Sequence, residues 1–524
     1  MSATATMRRG RTFRAIALAA ATAAALVLSA CTGGGGGSAD GDSTTLNVAI
    51  TTPPISMDPT TAGNGVPLIW YMNLAYEPLI KRAVDGTAEP GLATEWGYSE
   101  DRLTFTMQLR EGVTFSDGDE LTADAVVAWL EHYKANGTFA AWLANVSTIE
   151  ATGPLEVTLT LSTPDPLLPY GFDQGGNAGA IVSPTGMADM DALGTETHGA
   201  GPYMLDTEAT ITNSTYTFVK NPNYWNPDEQ HYETVVLKVF TDANSVLSAL
   251  RSGQVDVAQG SATTAGAARD AGFEVTTAPS GMVGIYLADI DGTIVPAMSD
   301  VRVRQALNYA IDREAITDSI YGEFGIPTTQ FVPEGIGGFL PELEDAYPYD
   351  PEKAKELLAE AGYPDGFSFT VLEQPGFDGS DLLPQAMAEQ FAAVGVQMEV
   401  KSYAAFSDYV TDLFSLAYPA TTLQFNYSVQ LVDTQQLVTN PAVYNYLGYN
   451  DPQANELATA QRAQDVDTPE GIAAAEASET YMVENAFLVP VASIQSVLFY
   501  GPSVTNVDFT AYPWPDPTRW SPAN

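Results

Sequence analysis

The sequence predicts an α/β protein with more than one apolar core. Three observations support this prediction. The chain has 524 residues, of which 45% are apolar; several segments alternate apolar and polar residues; and helices with clear ends precede short apolar strands. A chain of this length can bury several cores. Helices that alternate with short strands indicate mixed sheets covered by helices.

Strand patterns and one helix begin the folded part. Residues 46–50 form an apolar run that predicts the first strand. Residues 103–109 and 155–161 alternate apolar and polar side chains, which predicts two strands with one buried face. Between them, Thr122 can cap a helix that continues with an apolar stripe at helical spacing.

Three further helices are predicted in the middle of the chain. The first spans residues 242–251 and is followed at once by a strand at 255–258. The second begins at Asp300 and includes residues 303–311. The third has Asp350 as its N-cap, with proline at its first position and glycine just past its end, and a strand follows it.

The charge balance excludes two classes of partner. The chain has 65 Asp and Glu against 21 Lys and Arg, a net charge of −44. It therefore lacks the clustered cations that nucleic acids or anionic lipid surfaces require. The acidic residues are spread along the chain, which favours a solvated, self-repelling surface; a specific cationic ligand is the sharper alternative.

The N-terminus has the layout of an export signal. A region with four arginines and no acidic residue precedes the apolar residues 16–27. Leu28-Ser29-Ala30 follow and lead to Cys31, the only cysteine. A dozen apolar residues are too few to span a bilayer but suit a signal peptide. This N-terminus resembles that of bacterial lipoproteins, whose cysteine is lipidated and becomes the first mature residue. The alternative is a plain secretory signal with an unrelated cysteine.

The resemblance implies a lipoprotein signal peptide over residues 1–30 and lipidation of Cys31. Residues 31–44 are glycine-rich, small and polar, which predicts a flexible tether. We therefore expect a protein at the bacterial cell membrane, anchored by lipid and facing the extracellular or periplasmic side. No segment after the signal is predicted to span a membrane.

Motifs of catalysis are missing from the sequence. The three histidines are far apart, there is no cysteine pair, and no nucleophile-elbow or phosphate-loop motif occurs. The sequence therefore predicts no catalytic residue, metal site or cofactor, and a binding protein rather than an enzyme. A secreted glycan-degrading enzyme remains an alternative, because its two carboxylates can be distant in sequence.

Several motifs resemble those of one protein family. The longest, residues 103–126, reads LTFTMQLREGVTFSDGDELTADAV, and others follow in order at 199–203, 221–225, 301–313 and 350–364. They resemble the family 5 extracellular solute-binding proteins, which are peptide, dipeptide and nickel receptors of ATP-binding-cassette (ABC) importers. Most of these motifs are turns and helix caps, so they imply the fold rather than the ligand.

The resemblance implies a two-lobed, periplasmic-binding-protein-like fold of class II (Venus-flytrap type) with an extra inserted α/β domain. Lobe I would comprise residues 45–76, 205–290 and 490–524, the inserted domain 77–204, and lobe II 291–489. The protein would be a monomer that closes over a ligand and then docks on an ABC permease complex. A receptor-like or chaperone role without a transport partner is a further alternative.

The ligand-facing stretch departs from the pattern of peptide receptors. These usually carry Gly-Trp-x-x-Asp, whose aspartate holds the peptide's ammonium group. Here Phe425 replaces the tryptophan, and Ser428 or a neighbour replaces the aspartate. The departure leaves two ligand classes open: an oligopeptide or similar small solute with another anchoring scheme, and an oligosaccharide.

Aromatic rings with nearby amides suit a sugar or a peptide backbone equally well. The alternatives are that Trp70 and Tyr71 pack in a core and that the asparagines serve turns or caps. The candidate ligand-binding residues are Trp70, Tyr71, Asn73, Tyr286, Phe425, Asn426, Tyr427 and Ser428.

Overall fold

The computed structural model describes residues 44–523, except 55, 62–68, 85, 335–336, 376–381, 404–405, 427–444, 467 and 510–513. The predicted signal peptide, Cys31 and all but the last residue of the predicted tether lie outside the described residues, as do Tyr427 and Ser428.

Nineteen strands are assigned in the described residues. In chain order they are β1 Thr45–Ile50, β2 Ile80–Arg82, β3 Ala88–Pro90, β4 Ala93–Tyr98, β5 Thr104–Leu109, β6 Val146–Gly153, β7 Glu156–Leu161, β8 Tyr203–Leu205, β9 Thr215–Lys220, β10 Thr234–Val239, β11 Val257–Gln259, β12 Glu274–Leu287, β13 Gly325–Pro327, β14 Ser368–Leu372, β15 Gln397–Lys401, β16 Ala420–Asn426, β17 Leu488–Tyr500, β18 Val504–Thr505 and β19 Ser521–Pro522.

One large mixed sheet runs through the described part of the chain. Its order is β15-β14-β16-β12-β17-β11-β1-β10-β9-β8, and β13 also pairs with β17. β1 is parallel to β10 and β11, and β14 is parallel to β15 and β16, whereas β12 and β17 are antiparallel to each other. A separate antiparallel sheet has the order β4-β5-β7-β6, and two smaller sheets pair β2 with β3 and β18 with β19.

Helices cover these sheets. The described α-helices are Ile69–Ala75, Ala123–Asn136, Leu168–Gly171, Pro184–Met187, Ala243–Arg251, Ala262–Asp270, Val301–Tyr309, Arg313–Ile320, Pro351–Glu360, Leu382–Ala393, Phe406–Leu413, Pro452–Arg462 and Pro469–Glu484. Mixed sheets packed against helices confirm the predicted α/β class. No helix among the described residues combines the length and apolar character needed to cross a bilayer.

Two large apolar clusters hold the structure together. The first core combines β1, β9 and β10 with the four-stranded sheet and the helix Ala123–Asn136 that covers it. The second core combines β14, the C-terminal half of β12, the N-terminal half of β17 and the helices that pack on them. Since the first core runs without a break into the predicted inserted domain, the lobe boundaries stay a prediction.

Most predicted element ends are confirmed, because local caps define them. The Oγ1 of Thr122 accepts a hydrogen bond from the N–H of Ala125 at 3.2 Å. Asp242 and Asp350 cap their helices in the same way. The strand predicted at 255–258 instead begins at Val257, the first residue that pairs with β1 and β17.

The helix predicted from Asp300 does begin there but ends at Tyr309, so the prediction that it includes residues 310 and 311 is wrong. The cause is a second cap. Asp312 accepts a hydrogen bond from the N–H of Ala315 at 3.0 Å and starts the helix Arg313–Ile320.

Candidate functional site

The helix Ile69–Ala75 carries the first three predicted ligand residues, and all seven of its residues are buried. The ring of Trp70 meets that of Trp520 edge to face, with centroids 5.8 Å apart. The hydroxyl of Tyr71 donates to the carbonyl of Thr52 at 3.2 Å. Burial raises the pKa of Tyr71 well above its ordinary value. Trp70 and Tyr71 thus pack in the first core, and whether they also contact a ligand stays a prediction.

Three buried donors near this helix have no hydrogen-bond acceptor among the described residues: Nε1 of Trp70, Nδ2 of Asn73 and Nε1 of Trp520. Trp70 and Asn73 are three residues apart, so they share a helix face. A buried donor without an acceptor costs about 1–3 kcal/mol. A ligand that offers oxygen acceptors to these donors would remove this cost. The unpaired donors therefore agree with the prediction that Trp70 and Asn73 bind a ligand.

Tyr286 lies in β12, opposite Thr421 of β16 and Leu488 of β17. It is 1% exposed and belongs to the second core. Its ring meets that of Tyr446 edge to face, with centroids 6.2 Å apart. Burial raises the pKa of Tyr286 above its ordinary value.

The backbone of Phe425 and Asn426 forms the end of β16, opposite Met282 and Gly281 of β12. Tyr286 is therefore four positions along β12 from Met282, the partner of Phe425, which corresponds to about 13 Å. Tyr286 thus lies beside one end of β16, whereas Phe425 and Asn426 form the other end, and the backbone pairing does not bring them together. Their shared strand pairing was not expected from the sequence.

β12 and β17 pass from one core to the other. Ala278 of β12 packs against the first core, and Met282 belongs to the second. On β17, Leu498 belongs to the first core and Ile494 to the second. The register shifts between Pro279 and Gly281, which leaves one extra residue in β12 at the crossing.

Ser280, the extra residue at the crossing, is buried and accepts a hydrogen bond from Nε2 of Gln424 at 3.2 Å. A second register shift lies between Val283 and Gly284. The predicted passages between the lobes lie at 290 and 490, but this bulge was not predicted. Its signal was Pro279 inside an apolar run with glycines at 281 and 284, because proline and glycine within a strand often mark a bulge.

The second core holds a buried carboxylate, that of Glu479, away from the helix Ile69–Ala75. Glu479 and Asn308 line a cavity with room for about one water molecule. Oε1 of Glu479 accepts the N–H of Phe331 at 2.6 Å, and burial raises the pKa of Glu479 to about 7. Because this cavity lies inside one core and is this small, we do not take it as the ligand site. In the described part of the chain, no three metal-ligating side chains come together.

Residues 87–456 match the family model described as bacterial extracellular solute-binding proteins, family 5 middle. A similar protein is the glutathione-binding protein GsiB of Shigella flexneri serotype 5b (strain 8401), which is 31% identical over 327 residues. That match covers 59% of this chain and 60% of GsiB, so the chain spans three fifths of this relative.

Two solved structures share the fold. The binding protein AgaA of A. tumefaciens R10, in complex with agropinic acid, has a TM-score of 0.78 and 25% identity, covering 89% of this chain and 94% of AgaA. The dipeptide binding protein of Pseudoalteromonas sp. SM9913, in complex with Met-Leu, has a TM-score of 0.79 and 19% identity, covering 91% and 100%.

These likenesses confirm the predicted two-lobed, periplasmic-binding-protein-like fold. The family model covers well over half of the chain, and the motifs that carried the resemblance fall largely within it. The chain belongs to the family 5 bacterial extracellular solute-binding proteins.

Proposed function

We propose that this protein is the substrate-binding lipoprotein of an ABC importer. It captures an oligopeptide or a similar small solute between its lobes and delivers it to the permease complex. The observation that carries the proposal is the crossing of β12 and β17 between the two cores, with a bulge at Ser280. Two strands that join two separately packed bodies form a hinge.

The mechanism is closure by population shift. A bulge interrupts the regular ladder and lets a strand bend locally, while each core moves as a rigid body. A ligand that contacts both bodies stabilises the closed form by its differential affinity for that form. The permease recognises the closed form and so discriminates the loaded protein from the empty one.

The ligand class follows from the donors near the helix Ile69–Ala75. The indole N–H groups of Trp70 and Trp520 and the amide of Asn73 require oxygen acceptors. Peptide carbonyls, carboxylates and sugar hydroxyls all supply them. The similar proteins are named for glutathione, agropinic acid and Met-Leu, all of them small solutes. We place a peptide or similar solute first, because similar proteins are named for such ligands. An oligosaccharide stays second, because Ser428 or a neighbour replaces the aspartate that usually holds a peptide's ammonium group.

The N-terminus would hold the protein at the membrane. Lipidation of Cys31 and the tether 31–44 would keep a monomer at the outer face of the cytoplasmic membrane, close to its permease. The protein performs no chemistry on its ligand, as the names of its relatives as binding proteins support.

A thermal-shift screen of the Cys31→Ser chain tests the proposal. The panel contains glutathione, di- to pentapeptides, N-acetylated peptides, oligosaccharides and nickel–histidine complexes. A true ligand at a hundred times its Kd raises the free energy of unfolding by about 2.7 kcal/mol. A hit only among sugars selects the second ligand class. Conversion of the ligand to a product, detected by mass spectrometry, would contradict a binding role.

A matched pair of variants tests the site. Trp70→Phe removes an indole N–H that has no acceptor among the described residues, and we expect it to weaken binding of the hit about fivefold. Trp129→Phe removes an indole that donates to the carbonyl of Ala178 at 3.1 Å, so it lowers stability and leaves affinity unchanged. Equal affinities of the two variants would remove Trp70 from the site.

A further inference from the structure

The loop between the helices Pro452–Arg462 and Pro469–Glu484 contacts the region of the four-stranded sheet, although the helices themselves pack in the second core. Both helices contribute to the second core. Val466 of the loop instead packs against a small apolar cluster that includes Phe139, Trp142 and Leu167. These three residues come from the region of the four-stranded sheet. The chain passes between the cores along β12 and β17, so this contact is a separate connection.

Hydrogen bonds within the loop hold its described residues, 463–466 and 468. The N–H and the Oγ1 of Thr468 both donate to the carbonyl of Asp465, at 3.1 and 2.7 Å. The same Oγ1 accepts the N–H of Gly471 at 3.1 Å and caps the following helix. A Cβ at Gly471 would lie 2.1 Å from the carbonyl oxygen of Asp465, so the close approach requires glycine. The loop therefore presents Asp465 and Val466 in a preformed arrangement.

The partner of Asp465 is held in a rare backbone conformation. Nη2 of Arg102 lies 2.7 Å from Oδ2 of Asp465. Arg102 has a φ of 57°, in the left-handed region that residues other than glycine seldom adopt. Asp101 fixes this turn, since its Oδ1 accepts the hydroxyl of Ser99 at 2.7 Å and the N–H of Leu103 at 3.1 Å. Strain of this kind often marks a functional contact.

A second ion pair flanks Val466. Nη2 of Arg462 lies 3.9 Å from Oδ2 of Asp165, whose side chain is 1% exposed. The same Oδ2 accepts Nδ2 of Asn145 at 2.8 Å, and Oδ1 accepts the N–H of Leu167 at 3.2 Å. A buried carboxylate is costly without a compensating charge, and Arg462 supplies that charge only while the two parts touch.

We propose that Arg102, Asp165, Arg462, Asp465 and Val466 form a latch between the predicted inserted domain and lobe II, which keeps a fraction of the unliganded protein closed. The inference rests on the proposed function, because a latch has meaning only in a protein that opens and closes. It adds a determinant of affinity outside the ligand site. The apparent Kd rises as the closed, binding-competent fraction falls, even when no ligand contact changes.

The size of the contact suits a bias rather than a lock. Exposed ion pairs shift an equilibrium by about fivefold at most, and a half-buried valine contributes a comparable factor. A latch of this strength leaves the open form accessible, so the ligand can enter and still complete closure.

The test measures a distance in protein to which no ligand is added. Spin labels are attached at Glu131→Cys and Glu456→Cys in the full chain carrying Cys31→Ser, and the distance distribution is recorded by double electron–electron resonance. We expect short and long distances in the parent protein. Val466→Ser should lower the ratio of short to long about fivefold, and Asp465→Asn about twofold.

Two variants serve as matched controls. Lys355→Gln breaks an ion pair with Glu352 that lies within a single helix. Lys355 is as exposed as Arg102, the cation of the Arg102–Asp465 pair. Val295→Ser alters a partly buried valine that packs on the second core alone. Both should keep the parent's ratio. Distributions for Val466→Ser and Asp465→Asn that match the parent's would overturn the latch, as would a parent with only the long distance.

The distance measurement and the thermal-shift screen can fail independently of each other. The distance measurement needs no ligand, whereas the thermal-shift screen needs no latch. A negative result here combined with a ligand in the screen removes the latch and leaves the binding role in place.

Discussion

The two large cores of the molecule bury charge in different ways. In the first core, Nε of Arg82 lies 2.5 Å from Oδ2 of Asp173, so a buried cation meets a buried anion. In the second core, Arg313 is buried among backbone carbonyls. Its Nε donates to Pro490 at 2.8 Å, and its Nη1 donates to Asn308 and Tyr347 at 3.1 and 3.0 Å.

The same contrast holds for the carboxylates. Burial raises the pKa of Glu77 in the first region, but Lys81, 2.7 Å away, opposes that shift. Burial also raises the pKa of Glu479 in the second core, to about 7, and only backbone N–H groups oppose it. Burial lowers the pKa of Arg313 to about 10. In the first region, Arg82 and Glu77 are therefore compensated by opposite charges, whereas Arg313 and Glu479 in the second are compensated mainly by backbone dipoles, which cannot adjust to a change of protonation.

The largest expected effect comes from removing the two buried arginines. Arg82→Met leaves Asp173 charged and buried, and Arg313→Met leaves several carbonyls without donors, so each should lower the free energy of unfolding by about 3–5 kcal/mol. Urea denaturation of each variant measures the loss.

A second substitution separates the two mechanisms. Adding Asp173→Asn to Arg82→Met removes the stranded charge and should restore at least about 1 kcal/mol. Adding Glu344→Gln to Arg313→Met should restore less, because the charge of Glu344 interacts with that of Arg313 without forming an ion pair among the described residues. Equal recovery in the two backgrounds would mean that the cores do not differ in this respect.

The next effect is a pH dependence centred on Glu479. Its pKa is about 7 in the folded protein and 4.5 ordinarily. The folded state therefore holds the proton more tightly, so this contribution to stability is complete below pH 4.5 and is lost as the pH rises through 7. The loss amounts to about 3 kcal/mol. Glu479→Gln, which stays neutral, should remove this part of the pH dependence in denaturation measured from pH 4.5 to 8.

Glu476→Gln on the same helix is the control for this prediction. Glu476 is less buried than Glu479, and its substitution should leave the slope of stability against pH unchanged. If Glu479→Gln and the parent protein keep the same slope, the second core accommodates the charge and the contrast with the first core is smaller than the structure indicates.

The smallest effects are expected at exposed ion pairs, where the two regions should behave alike. Lys220 and Glu233 lie 2.6 Å apart beside the first core, and Lys353 and Glu356 lie 3.4 Å apart beside the second. Lys220→Gln and Lys353→Gln should each change the free energy of unfolding by less than about 1 kcal/mol, and less still in high salt. A larger change at one pair would show that the regions differ at their surfaces as well.

The fold was largely predictable from the sequence, but the candidate site was predictable only in part. Trp70, Tyr71 and Asn73 do share one helix, as their spacing allowed. Tyr286, Phe425 and Asn426 were all named as candidate ligand residues, but only the structure showed that Tyr286 lies four positions along β12 from the partner of Phe425. Strand register depends on partners more than a hundred residues away, which no local pattern records.

What the sequence determined by itself is local. Thr122, Asp242 and Asp350 cap their helices through hydrogen bonds to residues three positions on, so their effect is visible in any short segment. The family motifs are likewise short turns and caps. Only the tertiary structure decided that β12 and β17 cross between the cores and that Arg313 is buried among carbonyls. It also decided that Val466 contacts an apolar cluster far away in sequence. The physical reason is that these features arise from packing between segments that are neighbours only after the chain has folded.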